Sequence, residues 1–437
     1  MTDRTAAIPG ATAVAPRSAR FRAMVGGCAG NLVEWFDWFA YSSFSLYFAR
    51  HFFPSGDQTA QLLQAAAVFG VGFLARPVGA WLMGLYADRS GRKTALAASV
   101  AMMCGGSLAV ALLPGYEEIG AAAPAGLVLA RIVQGLSVGG EYGAAATYMS
   151  EMAGRRHRGF LSSLQMTTVV VGQLLALGLL MLLQRTLTQG DLQAWGWRIP
   201  FAVGGLLAII VFWLRTGMDE SGSFEVARRA PERSGTWRLL TEYPRETWAV
   251  FVLTAAGSIA FYVYTTYMQK FLVNTAGFSR ETATTVTAAA LLVYLAAQPA
   301  VGALSDLFGR RLPLVLGFAL GAVFTYPAMT ALAKTHSPAV AFILITGLMI
   351  IVSGYTAVNA AVKSELYPAY IRALGVALPY AMASAIFGGT AEYAALWFKQ
   401  ARMENGFFLY VSGAMLLAMV VALRLRDSAH HSLILEE

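Results

Sequence analysis

Charge is scarce in this chain: Asp, Glu, Lys and Arg make up 13% of its 437 residues. An ordinary soluble domain carries about 25%, so the shortfall, set beside a hydrophobic share of 57%, excludes that class. Cysteine is nearly absent. Cys28 and Cys104 both fall in apolar runs with no second Cys at metal-ligand spacing, which argues against a disulfide framework or a metal site. The five histidines, His51, His157, His336, His430 and His431, read as loop or tail, so no buried histidine relay is expected. There is no Walker A loop, HExxH or nucleophile elbow, which leaves an ATP-driven pump or a hydrolase nothing to work with. The spacing of Gly70, Gly72 and Ala75 matches a dinucleotide fingerprint, but it lies within an apolar helical run with no strand before it. An enzyme is therefore not expected, and neither is a cofactor other than a proton. The net charge of +8 lacks the clustered soluble patch that nucleic acid would require. The first 22 residues are polar or small, include Arg17, Arg20 and Arg22 and run straight into a full-length apolar segment. No cleavable signal is read there.

Apolar runs are present in abundance. Segments of spanning length occur at 23–49, 60–87, 94–113, 123–150, 160–184, 197–214, 248–273, 282–305, 312–333, 338–362, 373–398 and 406–423, which predicts an all-α membrane protein of twelve transmembrane helices. With the N-terminus placed in the cytoplasm, most Lys and Arg fall on the cytoplasmic side and only Arg76, Arg131 and Lys270 lie well inside spans, Arg198 standing at the outer start of its own, so both termini are expected inside. The expected organisation is a cytoplasmic tail (1–21), a six-helix bundle (22–214), a cytoplasmic linker (215–245), a second six-helix bundle (246–424) and a cytoplasmic tail (425–437). The linker, rich in Arg and Glu, reads as a basic segment held at the lipid surface or as a regulatory loop.

One hairpin occurs twice. GLYADRSGRK runs from Gly84 to Lys93 and GALSDLFGRR from Gly302 to Arg311. Each sits between two spans, so a duplicated hairpin implies a duplicated bundle. The glycines allow close approach and tight turning, while the Asp and Arg side chains need partners at the membrane surface. A second repeated pattern pairs Glu151 with Arg158 and Glu365 with Arg372, seven residues apart in each half.

An ionisable side chain at a helix centre costs about 2.5–3.5 kcal/mol on insertion scales, so each one needs a reason. Glu34 and Asp37 sit at i, i+3 in GNLVEWFDWFAYSSF, and Arg76 sits in FLARPVGAW. Counting 1.5 Å per residue from the flanking charges puts Glu34 and Arg76 about 18 Å up and Glu141 about 15 Å up. Glu34 and Arg76 are read either as a static buried pair or as a pair that a proton and an anionic substrate can break, since desolvation and a neighbouring cation pull a carboxyl in opposite directions. Arg131, Gln134, Val138 and Glu141 share roughly one face. The four-residue steps of Gly135, Gly139 and Gly143 suggest close helix packing. In the second half Lys270 and Glu392, near the outer face, either pair with each other or snorkel to the headgroups, or else Lys270 holds one end of an anion entering from outside; Gln298 and Asn359 are the polar positions. Aromatics crowd the expected cavity, with Trp35, Phe36, Trp38, Tyr262 and Tyr267 beside Tyr41 and Tyr264. Tyr41 and Tyr264 stand as the hydroxyl candidates for substrate.

The two hairpins resemble motif A of the major facilitator superfamily, and Arg131 followed by Gln134 and Gly135 resembles its motif B, an arginine associated with proton coupling. WGWRIPFA, TTYMQKFLVNTAG and ALPYAMASAIFGGTAEYAAL are similar to the metabolite:proton symporter branch, and the resemblance covers about 18–422. It implies two pseudo-symmetric six-helix bundles rocking around a central site. It further implies proton-coupled import of a dicarboxylate, 2-oxoglutarate, by a monomer in the bacterial inner membrane. Citrate, proline, betaine and shikimate are the alternative cargoes, and a transporter-like membrane sensor is the alternative outside transport. By the same resemblance Gly84, Asp88, Gly91 and Arg92 act in conformational switching, repeated by Asp306, Gly309 and Arg310, with Glu151, Arg158, Glu365 and Arg372 at the adjoining helix ends. Ser90 departs from the basic residue expected at that turn, and Arg198 in WGWRIPF is read as structural. Glu34, Asp37, Arg131 and Glu141 are the implied proton-coupling set, and Arg76, Arg131, Lys270, Tyr41 and Tyr264 the implied substrate contacts.

Overall fold

Twelve helical rods run through a computed structural model that describes residues 17–90, 92–138, 157–216, 236–425 and 427–428. In chain order they are α1 (Arg17–Phe52), α2 (Gln58–Ser90), α3 (Arg92–Leu112), α4 (Ala122–Val138), α5 (Arg158–Thr186) and α6 (Ile199–Thr216). The second set begins with α7, Pro244–Phe261 joined through a wide turn at Tyr262–Thr266 to Met268–Asn274. It continues with α8 (Arg280–Phe308), α9 (Arg311–Lys334) and α10, Pro338–Thr356 followed by Asn359–Glu365. It ends with α11, Ala369–Ala383 joined through a wide turn at Ser384–Gly388 to Ala391–Gln400, and α12 (Glu404–Arg424). No strand occurs among the described residues.

The starts of these rods follow from local chemistry. Pro244 and Pro338 occupy first-turn positions, where a missing N–H costs nothing. Ser279 and Ser337 accept from the N–H groups of Thr282 and Val340, satisfying donors that the helix itself leaves free. Among the described residues, eight helices are long and apolar enough to cross a membrane, and shorter apolar helices lie at 97–112, 122–137 and 196–210. Outward-facing Trp81, Leu112, Trp213, Leu307 and Val323 are all more than 60% exposed. An apolar surface of that extent belongs against lipid.

Packing repeats between the halves. In the first, α2 lies against α4, α3 against α6 and α1 against α5; in the second, α8 lies against α10, α9 against α12 and α7 against α11. Across the halves α5 runs along α8 and α2 along α11. The α2–α4 contact depends on glycine, since a Cβ on Gly135 would meet the carbonyl oxygen of Gly72. Gly139, Gly143 and Glu141 lie outside the described residues. So do Gly91 and Glu151, while Gly84, Asp88 and Arg92 are described by backbone only. The linker expected at 215–245 lies mostly outside them too, although its end forms a short helix, Thr236–Glu242, with Leu239 buried against Val250 and Tyr367. His51 belongs to the last turn of α1 rather than to a loop.

Three rods depart from regular geometry where the halves face each other. The Tyr267 N–H reaches the Tyr262 carbonyl at 2.8 Å and the Gly389 N–H reaches that of Ser384 at 2.9 Å, both spanning five residues. Single wide turns of this kind rotate the residues that follow and often mark functional sites. α10 breaks between Thr356 and Asn359, where the Asn359 side chain donates to the Thr356 carbonyl at 2.8 Å.

Candidate functional site

Between the halves lies a small cavity. The first half lines it with Asn31, Trp35, Gln165 and Met166, the second with Tyr262, Tyr355, Asn359, Tyr380 and Ser384. Tyr262 and Ser384 open the two wide turns, so the local distortion of α7 and α11 is what presents them.

Arg76 stands beside this cavity. Its guanidinium lies 3.7 Å from the Phe73 ring centre, 4.2 Å from that of Trp38 and 5.1 Å from that of Trp35. Its residue exposure is 8%, and its Nε and Nη2 have no hydrogen-bond partner. Glu34, Tyr262 and Tyr380 lie around it. A buried guanidinium with spare donors and aromatic faces is suited to a carboxylate, which can take two parallel N–H bonds.

Asp37 points elsewhere. It receives Arg131 Nη1 at 3.0 Å, Gln134 Nε2 at 2.8 Å and Ser107 Oγ at 2.5 Å. Arg131 also donates to Gln134 Oε1 at 2.7 Å, and its guanidinium lies 4.0 Å from the Trp38 ring centre. Trp38 thus carries both buried arginines, each on an aromatic face that stabilises a cation. Arg131 Nε and Nη2 lack partners as well.

Polar contacts join the halves on both sides of the cavity. At the hairpin end Asp306 Oδ1 and Oδ2 accept from the Gly159 and Phe160 N–H groups at 2.8 and 2.9 Å. A carboxylate of the second half thereby caps the first turn of α5, where the helix dipole favours negative charge. Arg158 meets Glu365 at 3.4 Å, and Arg310 reaches Asp306 at 2.7 Å and Glu365 at 3.7 Å. Gly309, at φ 86°, turns the hairpin, and Asp427 accepts from the Arg310 N–H at 3.0 Å. Ser428 donates to Glu365 at 2.5 Å. Arg372 Nε donates to the Ser364 and Tyr367 carbonyls, each at 3.0 Å. At the opposite end Lys270 pairs with Glu392 and donates to Ser42 Oγ at 2.7 Å, while Ser42 donates to Glu392 at 2.9 Å. Asn274 with Thr59 at 3.3 Å and Gln184 with Thr284 at 3.2 Å complete that layer.

The structure therefore gathers Arg158, Asp306, Arg310, Glu365 and Arg372 at one end and sets Arg76 with Glu34 beside the cavity. It separates other members of the expected sets. Lys270 belongs to the far layer, Tyr41 donates to the Ala65 carbonyl at 3.0 Å within the first half, and Tyr264 bonds Thr325 within the second. None of these three lines the cavity, and the tyrosines that do are Tyr262, Tyr355 and Tyr380. Lys363 was not among the expected site residues. It is 1% exposed and donates to Asn359 Oδ1 at 3.0 Å and Tyr355 Oη at 3.2 Å, both in the cavity wall. Its spacing of four from Asn359 is the sequence signal that could have found it.

Two helix bundles that meet across a central cavity, with polar contacts between the halves on either side of it, are the architecture of a membrane transporter. The chain belongs to the major facilitator superfamily: the family model of that name matches residues 251–436, and that described as "Sugar (and other) transporter" matches 23–236. Among relatives, the alpha-ketoglutarate permease of Escherichia coli is 52% identical over 93% of this chain and 94% of its own. The citrate-proton symporter of Salmonella typhi is 33% identical over 86% and 87%. The solved xylose transporter XylE of E. coli, in a partially occluded inward-open state, matches with a TM-score of 0.73 at 18% identity, over 92% of this chain and 97% of that one. It shares the fold.

Proposed function

We propose that the protein imports a dicarboxylate, 2-oxoglutarate, together with protons, across a bacterial inner membrane with both termini in the cytoplasm, working as a monomer by alternating access. The observation that carries this reading is Arg76, a buried guanidinium with unpartnered donors beside a cavity shared by both halves. The similarity to an alpha-ketoglutarate permease and to a proton symporter for another polycarboxylate supports the cargo class and the coupling ion.

A dianion entering a cell with a negative interior moves against about 4.6 kcal/mol per 100 mV, so co-transported protons supply the drive. Protonation of Glu34 removes the carboxylate whose charge acts on Arg76, and the guanidinium then receives a substrate carboxylate. Protonation of Asp37 would loosen Arg131 in the same way. The hairpin-end layer of Asp306, Arg158 and Glu365 is the cytoplasmic gate, and the Lys270–Glu392–Ser42 layer is the outer one. Asp88 and Arg92 are assigned the matching role at the N-terminus of α11, with Glu151 and Arg372. The test is a competition screen in proteoliposomes with an imposed pH gradient. Preferential competition by 2-oxoglutarate and other dicarboxylates is expected; preferential competition by citrate, proline, betaine or shikimate would replace the cargo.

A further inference from the structure

One indole serves two cations. Arg76 reaches the Trp38 ring from α2 and Arg131 from α4, with guanidinium carbons 4.2 and 4.0 Å from its centre. The ring is 1% exposed and fixed in place: Phe69 and Phe73 meet it edge-on at 5.4 and 4.7 Å, and a Cβ on Gly72 would come within 2.8 Å of its Cη2. Two like charges therefore draw on one π-system, in surroundings where water screens neither. Asp37, the neighbour of Trp38 in α1, holds Arg131 at 3.0 Å. Gln134 of α4 and Ser107 of α3 also bond that carboxylate, and a Cβ on Gly204 of α6 would touch it. Glu34 and Tyr41 lie a turn away on α1 itself. α5 meets α1 through neutral Thr168 at Asn31, and Lys270 and Glu392 meet it farther along, at Ser42. Among these groups Arg131 is the cation in contact with Asp37, so it is the one that answers to a proton there.

We propose that Trp38 is the positioning residue that links proton to cargo, by making the two arginines compete for its ring. The inference rests on the reading of Arg76 as a carboxylate site and of Asp37 as a proton carrier. With Asp37 ionised, Arg131 is neutralised by it and the ring is left to Arg76. A proton on Asp37 leaves Arg131 a bare cation that leans on the indole. Arg76, sharing the ring with a second charge, then gains more from an incoming carboxylate. Linkage is reciprocal, so a bound carboxylate in turn favours the proton. The ring's share of this coupling is about 2- to 30-fold in affinity, the span of a cation–π contact.

The test measures 2-oxoglutarate binding to the purified full-length protein without a gradient, across pH values at which the cargo stays a dianion. Glu34→Gln is the background, so that the pH response left is that of Asp37. Binding should tighten with acid. Tryptophans carrying one, two and three ring fluorines, placed at position 38 alone, keep the shape of the indole and withdraw its π-density stepwise. They should shrink the ratio of acid to alkaline affinity stepwise, mainly by tightening binding at the alkaline end, where the ring no longer holds Arg76 back. Trp38→Leu should show the flattest response and Trp38→Phe an intermediate one. A ratio unchanged along the fluorinated series overturns the role of Trp38, and so does a Trp38→Leu protein that loses affinity by one factor at every pH; both results leave the cargo and the coupling ion standing. Binding that ignores pH in the Glu34→Gln background but not in the wild type removes Asp37, and Trp38 with it. Binding that ignores pH in both overturns the proton-coupling reading itself, together with the role of Trp38.

Discussion

Replacing Asp306 by Asn should open the cytoplasmic gate. The carboxylate accepts from two backbone N–H groups of α5 at 2.8 and 2.9 Å and from Arg310 at 2.7 Å. An amide keeps one acceptor oxygen and turns an NH2 toward a donor, so one of the inter-half bonds is lost with the charge. A hydrogen bond to a charged group contributes about 1.5–3 kcal/mol, and a charge at a helix N-terminus about 0.3–1 kcal/mol more. About 2 kcal/mol of this falls on the closed state, since the Arg310 contact lies wholly within the second half, and that energy corresponds to a population shift of about 30-fold. Met166 lines the cavity. A Met166→Cys reporter, in a chain with Cys28 and Cys104 replaced, should therefore react about 30-fold faster with an impermeant thiol reagent applied from the cytoplasmic side. Unchanged labelling by this reagent would show that the Asp306 contacts do not hold the gate.

Glu34→Gln should abolish uphill accumulation driven by a pH gradient while counterflow exchange continues, because the amide mimics the protonated acid; intact gradient-driven uptake removes Glu34 from coupling. Arg76→Lys should reach the membrane with affinity lowered about tenfold, since charge is kept and the two-pronged geometry lost. Arg76→Ala combined with Glu34→Gln should restore membrane levels lost in Arg76→Ala but not transport, and recovered 2-oxoglutarate uptake would place the carboxylate elsewhere. His51, beyond the apolar span at 23–49, has its pKa lowered by burial first and Arg198 second, against Glu118 and Glu117. Arg198 donates to its Nε2 at 3.2 Å, a bond that only the neutral ring accepts. The unfolded chain thus binds the proton more readily than the fold, so stability is fully present above about pH 6.5 and falls as the pH drops toward the lowered value. Thermal melts should show this acid-side loss and a flatter profile for His51→Gln; superimposable profiles would refute it.

The rods were legible because each apolar run ends in charge or turn residues, and their limits differ from the expected spans by only a few positions at most ends. The site was less legible, for identifiable reasons. Glu34 and Asp37 at i, i+3 suggest one face, yet three residues of helix turn by 300°, and the remaining 60° directs Asp37 to Arg131 within the first bundle. The wide turns at Tyr262 and Ser384 leave no trace in hydropathy, although they reset which residues face inward; Tyr262 enters the cavity wall and Tyr264 turns toward Thr325. Lys363 was missed because hydropathy ends the tenth span at 362, so its charge read as cytoplasmic. Burial among Tyr355, Asn359 and Tyr380 overrides that boundary.

The break in α10 detaches a stub of seven residues, Asn359–Glu365, about 10 Å long. The segment reaches the cavity wall through Asn359 and α5 through Glu365 and Arg158. It therefore links the cavity wall to the end layer within two helical turns, so that Asn359 and Glu365 shift together whenever it moves as one piece.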